Sequence, residues 1–184
     1  MREGFERAFL VTGGGAMHLN DALSREKGFA TTYMHHEQAI AFAAEGYFRA
    51  SNKTALINVT SGPGGLNALT GVFGAFVDSV PMMVLSGQVR TETINSLQST
   101  KLRQLGDQEA DICSTVKSSV KYFAMPVNKQ EAVIAIHTAM HHLTTGRPGP
   151  VWIDIPINIQ GLSISDAEIE RFSQQTSVKL LRES

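Results

Sequence analysis

Glu37 is where a carboxylate could do chemistry in this chain. It follows His35 and His36, precedes Gln38, and opens an alanine-rich stretch carrying Phe42, Tyr47 and Phe48. Downstream, Thr60-Ser61-Gly62-Pro63-Gly64-Gly65-Leu66-Asn67 reads as a glycine-rich turn into a helix. The glycines let backbone approach a flat ring closely, and Pro63 fixes the turn. A carboxylate at a helix start, facing such a turn, can hydrogen-bond and activate a buried heterocyclic cofactor. Desolvation among alanine and aromatic neighbours would tune it for that task. Read singly, each piece has a plainer explanation. Glu37 is also what a surface helix favours in its first turn, and a glycine-rich β-to-α turn needs no ligand. Their joint occurrence favours chemistry.

Other residues could serve the same site. Gly13-Gly14-Gly15 would bring bare backbone to a strand end, although a flexible turn explains it equally well. Asn67 can cap a helix or reach a ligand. His18 and His36 could donate to a carboxylate or relay protons. A surface or packed histidine is the commoner role for each, and His36 is the better candidate because it flanks Glu37.

Placing these residues falls to an alternation of short β-rich runs and helical stretches. Strands are expected over 8–12, 31–34, 55–60, 81–86, 121–125 and 151–155, and helices over 16–26, 37–50, 65–77 and 129–144. The run from Pro81 to Ser86 is apolar enough for a strand covered on both faces. Residues 88–108 are polar and read as loop plus short helix, and 163–184 as polar linker. His141 and His142 are expected on the exposed side of their helix. The alternation predicts an α/β fold, three-layer αβα, around a mostly parallel sheet of about six strands. Ligands bind such sheets beyond the carboxyl ends of the strands. Segments 13–15, 35–38, 60–65 and 87–88 all fall there, along one edge.

At 184 residues, 42% hydrophobic and 18% charged, the chain has the makeup of one globular domain. A net charge of −1 without a Lys/Arg block argues against a nucleic-acid surface. No apolar run approaches the roughly 20 residues that cross a bilayer, and Met1 to Arg7 lacks a signal-peptide apolar region. Cys113 stands alone, which rules out an intrachain disulfide. A cytoplasmic protein is the expectation.

Several motifs fail on inspection. Gly13 to His18 and Gly62 to Asn67 both miss the third glycine of the dinucleotide fingerprint. His36-Glu37-Gln38-Ala39-Ile40 falls short of H-E-x-x-H because Ile40 cannot ligate zinc. Cys113, His137, His141 and His142 lack metal-site spacing, so no metal ligands are expected in this chain. No G-x-S-x-G nucleophile elbow occurs.

The His35–Gln38 and Thr60–Asn67 segments together resemble the pyrimidine-binding half of thiamine-diphosphate enzymes. The acetolactate synthase group is most similar, through Asp78-Ser79-Val80-Pro81, Ser86-Gly87-Gln88 and Gln108-Glu109, and the likeness runs from Phe9 to Gln160. The resemblance implies that Glu37 supports one ring nitrogen of the aminopyrimidine, so that the cofactor's own nitrogen can deprotonate its thiazolium carbon. Thr60, Pro63, Gly64 and Asn67 would hold the ring, Gly14 and Gly15 would line the reaction centre, and Gln108 would reach the acceptor. The implied catalytic set is therefore Glu37, Gly15 and Gln108, and the implied reaction is decarboxylation of pyruvate with two-carbon transfer to a second 2-oxoacid. One departure is Asp107, which stands where acetolactate synthases carry an aromatic residue. Decarboxylases or lyases of sugar and capsule pathways look similar over Gly13–Asn20 and Leu105–Ile112, and they are the nearest rivals.

The resemblance also implies what lies elsewhere. The family's Gly-Asp-Gly…Asn-Asn motif for Mg²⁺ and diphosphate does not occur in this sequence. Residues 1–160 would be the pyrimidine-binding domain and 161–184 the start of an interdomain linker. Mg²⁺ would sit on a diphosphate-binding domain absent from this chain, FAD is compatible as a second cofactor, and a homodimer or higher oligomer is implied. The chain alone would be inactive, either a trimmed piece or the small subunit of a split 2-oxoacid decarboxylase. Rivals from other classes are a non-catalytic α/β assembly module and a dinucleotide-binding domain.

Overall fold

Six parallel strands, β1 (Arg7–Leu10), β2 (Ala30–Tyr33), β3 (Leu56–Val59), β4 (Met83–Gln88), β5 (Tyr122–Ala124) and β6 (Val151–Pro156), form one sheet. The computed structural model describes residues 4–99 and 101–183. The helices are α1 (Met17–Arg25), α2 (Glu37–Ser51), α3 (Pro63–Val77), α4 (Ile112–Val116), α5 (Lys129–Thr144), α6 (Ile157–Gln160) and α7 (Asp166–Glu183). The strand order is β2-β1-β3-β4-β6-β5. From β1 the chain runs outward to β2, then crosses back to β3 on the other side of β1. The loops leaving β1 and β3 therefore diverge, and a crevice opens between them at the carboxyl edge.

Side-chain alternation gives the inner strands β1, β3, β4 and β6 two buried faces, while the edge strands β2 and β5 are only partly covered. Phe9, Ile57, Val59, Val84 and Trp152 pack under α2, α3 and α4, while Ala8, Leu10, Leu56, Ile153 and Ile155 pack against α1, α5 and α6. Each large side chain so buried contributes about 1.5–3 kcal/mol. α2 and α3 come close at Gly71, where a Cβ would stand 2.6 Å from that of Ala41.

The three-layer arrangement matches the sequence expectation, with every strand pair parallel. The differences are local and have causes. β4 runs on through Gly87 and Gln88, so Gln88 is buried in the sheet rather than starting a loop. α3 begins at Pro63, which suits a first helical position because its missing N–H had no partner to lose. Among the described residues of 89–109, the short helix expected there takes the form of two 3₁₀ turns, Thr91–Thr93 and Asn95–Leu97. His142 does not stand on an exposed helix side: it is half-buried and stacks on Tyr122 with ring centroids 5.4 Å apart.

The stretch read as polar linker is helical over Asp166–Glu183. Ile169, Phe172 and Thr176 fall at helical spacing on one side, and Phe172 and Thr176 are buried. Ser173 Oγ meets His137 Nε2 at 2.6 Å, and Lys129 Nζ meets Glu168 Oε1 at 2.5 Å, so α7 lies along α5.

Candidate functional site

α2 begins where β2 has just left the sheet. His36 caps it, its Nδ1 accepting from the Gln38 N–H at 3.1 Å. That role needs an unprotonated Nδ1, so His36 serves the helix start. Glu37, the first residue of α2, is half-buried. Its Oε2 accepts from Asn67 Nδ2 at 3.1 Å, which holds the carboxylate against the first turn of α3. Oε1 has no hydrogen-bond partner among the described residues and lies beside Gly64, where a Cβ would come within 3.6 Å of it.

The glycine turn is built on close approaches. Gly62 has φ +56°, a conformation in the region that favours glycine. Thr60 Oγ1 accepts from Gly15 N–H at 3.0 Å, joining the loops that follow β1 and β3 across the crevice. A Cβ on Gly13 would stand 2.4 Å from Thr60 Cβ, one on Gly64 2.7 Å from Thr60 Cγ2, and one on Gly15 2.7 Å from Ser61 Oγ. Gly87, at the end of β4, is equally confined, with the Gly15 carbonyl 2.0 Å from its Cβ position. Gly14 differs: nothing lies within 4 Å of its Cβ position.

Gln108 reaches this turn from a distant part of the chain. Its backbone has φ +56°, its side chain is exposed, and its carbonyl oxygen lies 2.0 Å from the Cβ position of Gly62. Glu37, Asn67, Gly64, Thr60, Gly15 and Gln108 are thus linked through direct contacts or through Gly62. Pro63 is exposed at the helix start, and His18 is exposed on α1 beside Gly161. Sequence reasoning missed Gln160, whose Nε2 donates to the carbonyls of Gly15 and Ile155, each at 2.7 Å. Nothing in its spacing signalled that tie.

Over residues 1–112 the sequence matches the family described as thiamine pyrophosphate enzyme, N-terminal TPP binding domain. The chain belongs to that family. It is 36% identical over 154 residues to the acetolactate synthase large subunit of Haemophilus influenzae, covering 84% of this chain and 26% of that protein. It is 35% identical over 159 residues to the chloroplastic acetolactate synthase of Arabidopsis thaliana, covering 86% and 22%. The mitochondrial acetolactate synthase catalytic subunit of Saccharomyces cerevisiae gives 35% over 158 residues, again 86% and 22%. The chain therefore spans about a quarter of the length of these curated relatives.

The residues present fit the pyrimidine end of the family's cofactor. Glu37 offers one carboxylate oxygen, Asn67 holds the other, and Gly64 carries no side chain that would crowd the free oxygen. Among the described residues, no helix is long and apolar enough to cross a membrane.

Proposed function

We propose that this chain is the cofactor-activating domain of an acetolactate-synthase-like enzyme that decarboxylates pyruvate and transfers the two-carbon unit to a second 2-oxoacid. The observation that carries this is the Glu37 carboxylate, pinned on one oxygen by Asn67 and open on the other beside Gly64. Bound thiamine diphosphate supplies the carbanion-stabilising chemistry. The chain's own part is to orient and polarise: Glu37 fixes the protonation pattern of the ring, and the Thr60–Gly65 turn shapes the space beside it. Gln108, projecting above that turn, is assigned to the acceptor side.

Among the described residues no group of His, Cys, Asp or Glu is arranged to hold a metal ion. Mg²⁺ and the diphosphate are assigned, as the family resemblance implies, to a domain outside this chain, and FAD to that same remainder if the enzyme uses it. Asp107 supports a second reading. It is exposed, next to Gln108, and its charge would repel an anionic acceptor. A decarboxylase or lyase acting on sugar-pathway substrates would be free of that penalty. A panel of 2-oxoacid and aldehyde acceptors separates the two.

Replacing Glu37 by Gln in the complete protein tests both readings together. Turnover of pyruvate, assayed with thiamine diphosphate and Mg²⁺, should fall by roughly 10²–10⁴-fold, with the melting temperature unchanged. Wild-type turnover in this variant would end the assignment.

A further inference from the structure

At the carboxyl end of the sheet, the face under α3 and α4 turns from apolar to polar. β4 and β6 pair with Ser86 opposite Asp154. The alternation that buries Val84 and Trp152 puts Ser86, Gln88 and Asp154 on that same face. All three are buried, Asp154 to 1% exposure. Trp152 Nε1 donates to Ser86 Oγ at 2.7 Å, and Ser86 Oγ donates to Asp154 Oδ1 at 2.5 Å. Gln88 Nε2 donates to Asp154 Oδ2 at 2.8 Å and to the Ala110 carbonyl at 2.9 Å, while its Oε1 accepts from Val89 N–H at 2.8 Å.

No cation pairs with Asp154 among the described residues. An apolar residue would close the core at lower cost than an uncompensated acid. What the acid does here is join the Ala110 carbonyl and the Val89 N–H in fixing which way the Gln88 amide faces. Were the amide reversed, its oxygen would turn toward the oxygens of Asp154 and Ala110, and its NH₂ toward Val89 N–H.

We propose that Asp154 and Gln88 are positioning residues: Asp154 orients the Gln88 amide, and Gln88 anchors Ala110 so that Gln108 stays seated on the Gly62 turn. The inference rests on reading Gln108 as an active-site residue. The other flank of Gln108 is held separately. Glu109 Oε1 accepts from Asn95 N–H at 2.7 Å, and Oε2 from Leu105 and Gly106 N–H at 3.0 and 3.2 Å. The Gln88 tie is the only one of these bonds that connects the segment to the sheet.

The device also carries a pH signature. Burial pushes Asp154 up to about 7, against the Ser86 and Gln88 bonds that lower it, and Asp111 raises it further. The charged and titratable groups facing it line one cavity of about 300 Å³: Arg103, Glu109, Asp111 and Cys113. Burial pushes the Cys113 thiol up to about 12, so it stays neutral. A proton on Oδ2 of Asp154 sets its O–H against the Gln88 NH₂, which Ala110 and Val89 keep from turning, and so weakens that bond. A proton on Oδ1 removes the charge assistance from the Gln88 bond. Either way the anchor tightens as pH rises through about 7 and loosens below it.

Global stability has the opposite sign. An acid with a raised folded pKa binds its proton more tightly when folded, so stability falls as pH climbs from 3.8 toward 7. A purely structural Asp154 would make the 105–112 segment firmer on acidification, along with everything else. A positioning Asp154 makes it looser.

Hydrogen exchange read by mass spectrometry on the complete protein without cofactor decides between them. In the wild type, corrected for intrinsic rates, peptides over 105–112 should lose protection below pH 7 while those of β4 and β6 do not. Gln88→Ala should raise exchange over 105–112 by roughly tenfold at pH 8, as one lost hydrogen bond would, and leave α2 peptides unchanged. Asp154→Asn should do the same and abolish the pH response. If Asp154→Asn fails to fold, Gln88→Ala alone decides. Unchanged exchange over 105–112 in Gln88→Ala, or a rise spread evenly over the sheet, would overturn the proposal. Looser 105–112 peptides with kcat intact would leave the anchor standing and remove the role given to Gln108.

Discussion

A single amide decides how Glu37 presents itself. Without Asn67, the carboxylate would be free to rotate about its own side chain, and either oxygen could turn away from Gly64. Asn67→Ala removes a hydrogen bond to a charged group, worth about 1.5–3 kcal/mol. The expected result is a loss of roughly 10–100-fold in kcat/KM, with stability little changed because both residues are partly solvated. Steady-state kinetics beside a calorimetric melting curve would check it, and wild-type kinetics would mean that the bond is incidental. Glu37 was legible in the sequence because a first-turn acid and a glycine turn are both local patterns. Its partner was not, since Asn67 lies on another helix and only the packing of α2 on α3 brings the two together. Gln88 shows the same limit from the other side. As a polar residue after a glycine it reads as loop, yet β4 carries it into the core, where Asp154 supplies the acceptor that makes burial tolerable.

The glycines that join the elements divide by what surrounds them, and that division can be tested. Gly62→Ala would combine a φ of +56° with a carbonyl 2.0 Å from the new Cβ, so the Gln108 segment must lift or the turn must unwind. A cost of about 1–3 kcal/mol is expected from the backbone alone, visible as a lowered melting temperature. Gly14→Ala meets nothing within 4 Å and should leave the melting temperature where it was. A drop in turnover with unchanged stability in Gly14→Ala would then report backbone approaching a bound ligand. Full turnover would remove Gly14 from the site. The helices and strands themselves were legible from periodicity, as was the parallel sheet, because the order of alternation admits few topologies. Strand neighbours were not, since nothing local tells β5 to take the sheet edge beyond β6. α7 was hidden for a related reason: its apolar face is narrow, and its overall polarity outweighs that face until α5 is there to cover it.

At the scale of the whole molecule, the proposed function needs a partner over Glu37, and the outer side of the α2–α3 layer is the surface we assign to it. Leu66, Phe73 and Val77 fall at helical spacing along α3, Phe42 adds to them from α2, and each is 41–52% exposed. Large exposed apolar stripes of this kind mark interaction surfaces more often than free surface. The stripe begins at the same helix turn that holds Asn67, so whatever covers it would also stand over Glu37 and could bring the diphosphate end of the cofactor into reach. We expect a second subunit or a domain of the same enzyme in that place. Phe73→Glu would put a charge in the middle of the stripe and should weaken association by about 2 kcal/mol, roughly 30-fold in the dissociation constant. Sedimentation of the complete protein would read the dissociation, and a thiamine diphosphate titration should weaken in parallel. Lost cofactor affinity without dissociation would assign the stripe to a domain of the same subunit. If neither changes, the stripe is not the face over which the proposed site is completed, and the approach to Glu37 is reassigned to the side of Gly14 and Gly15.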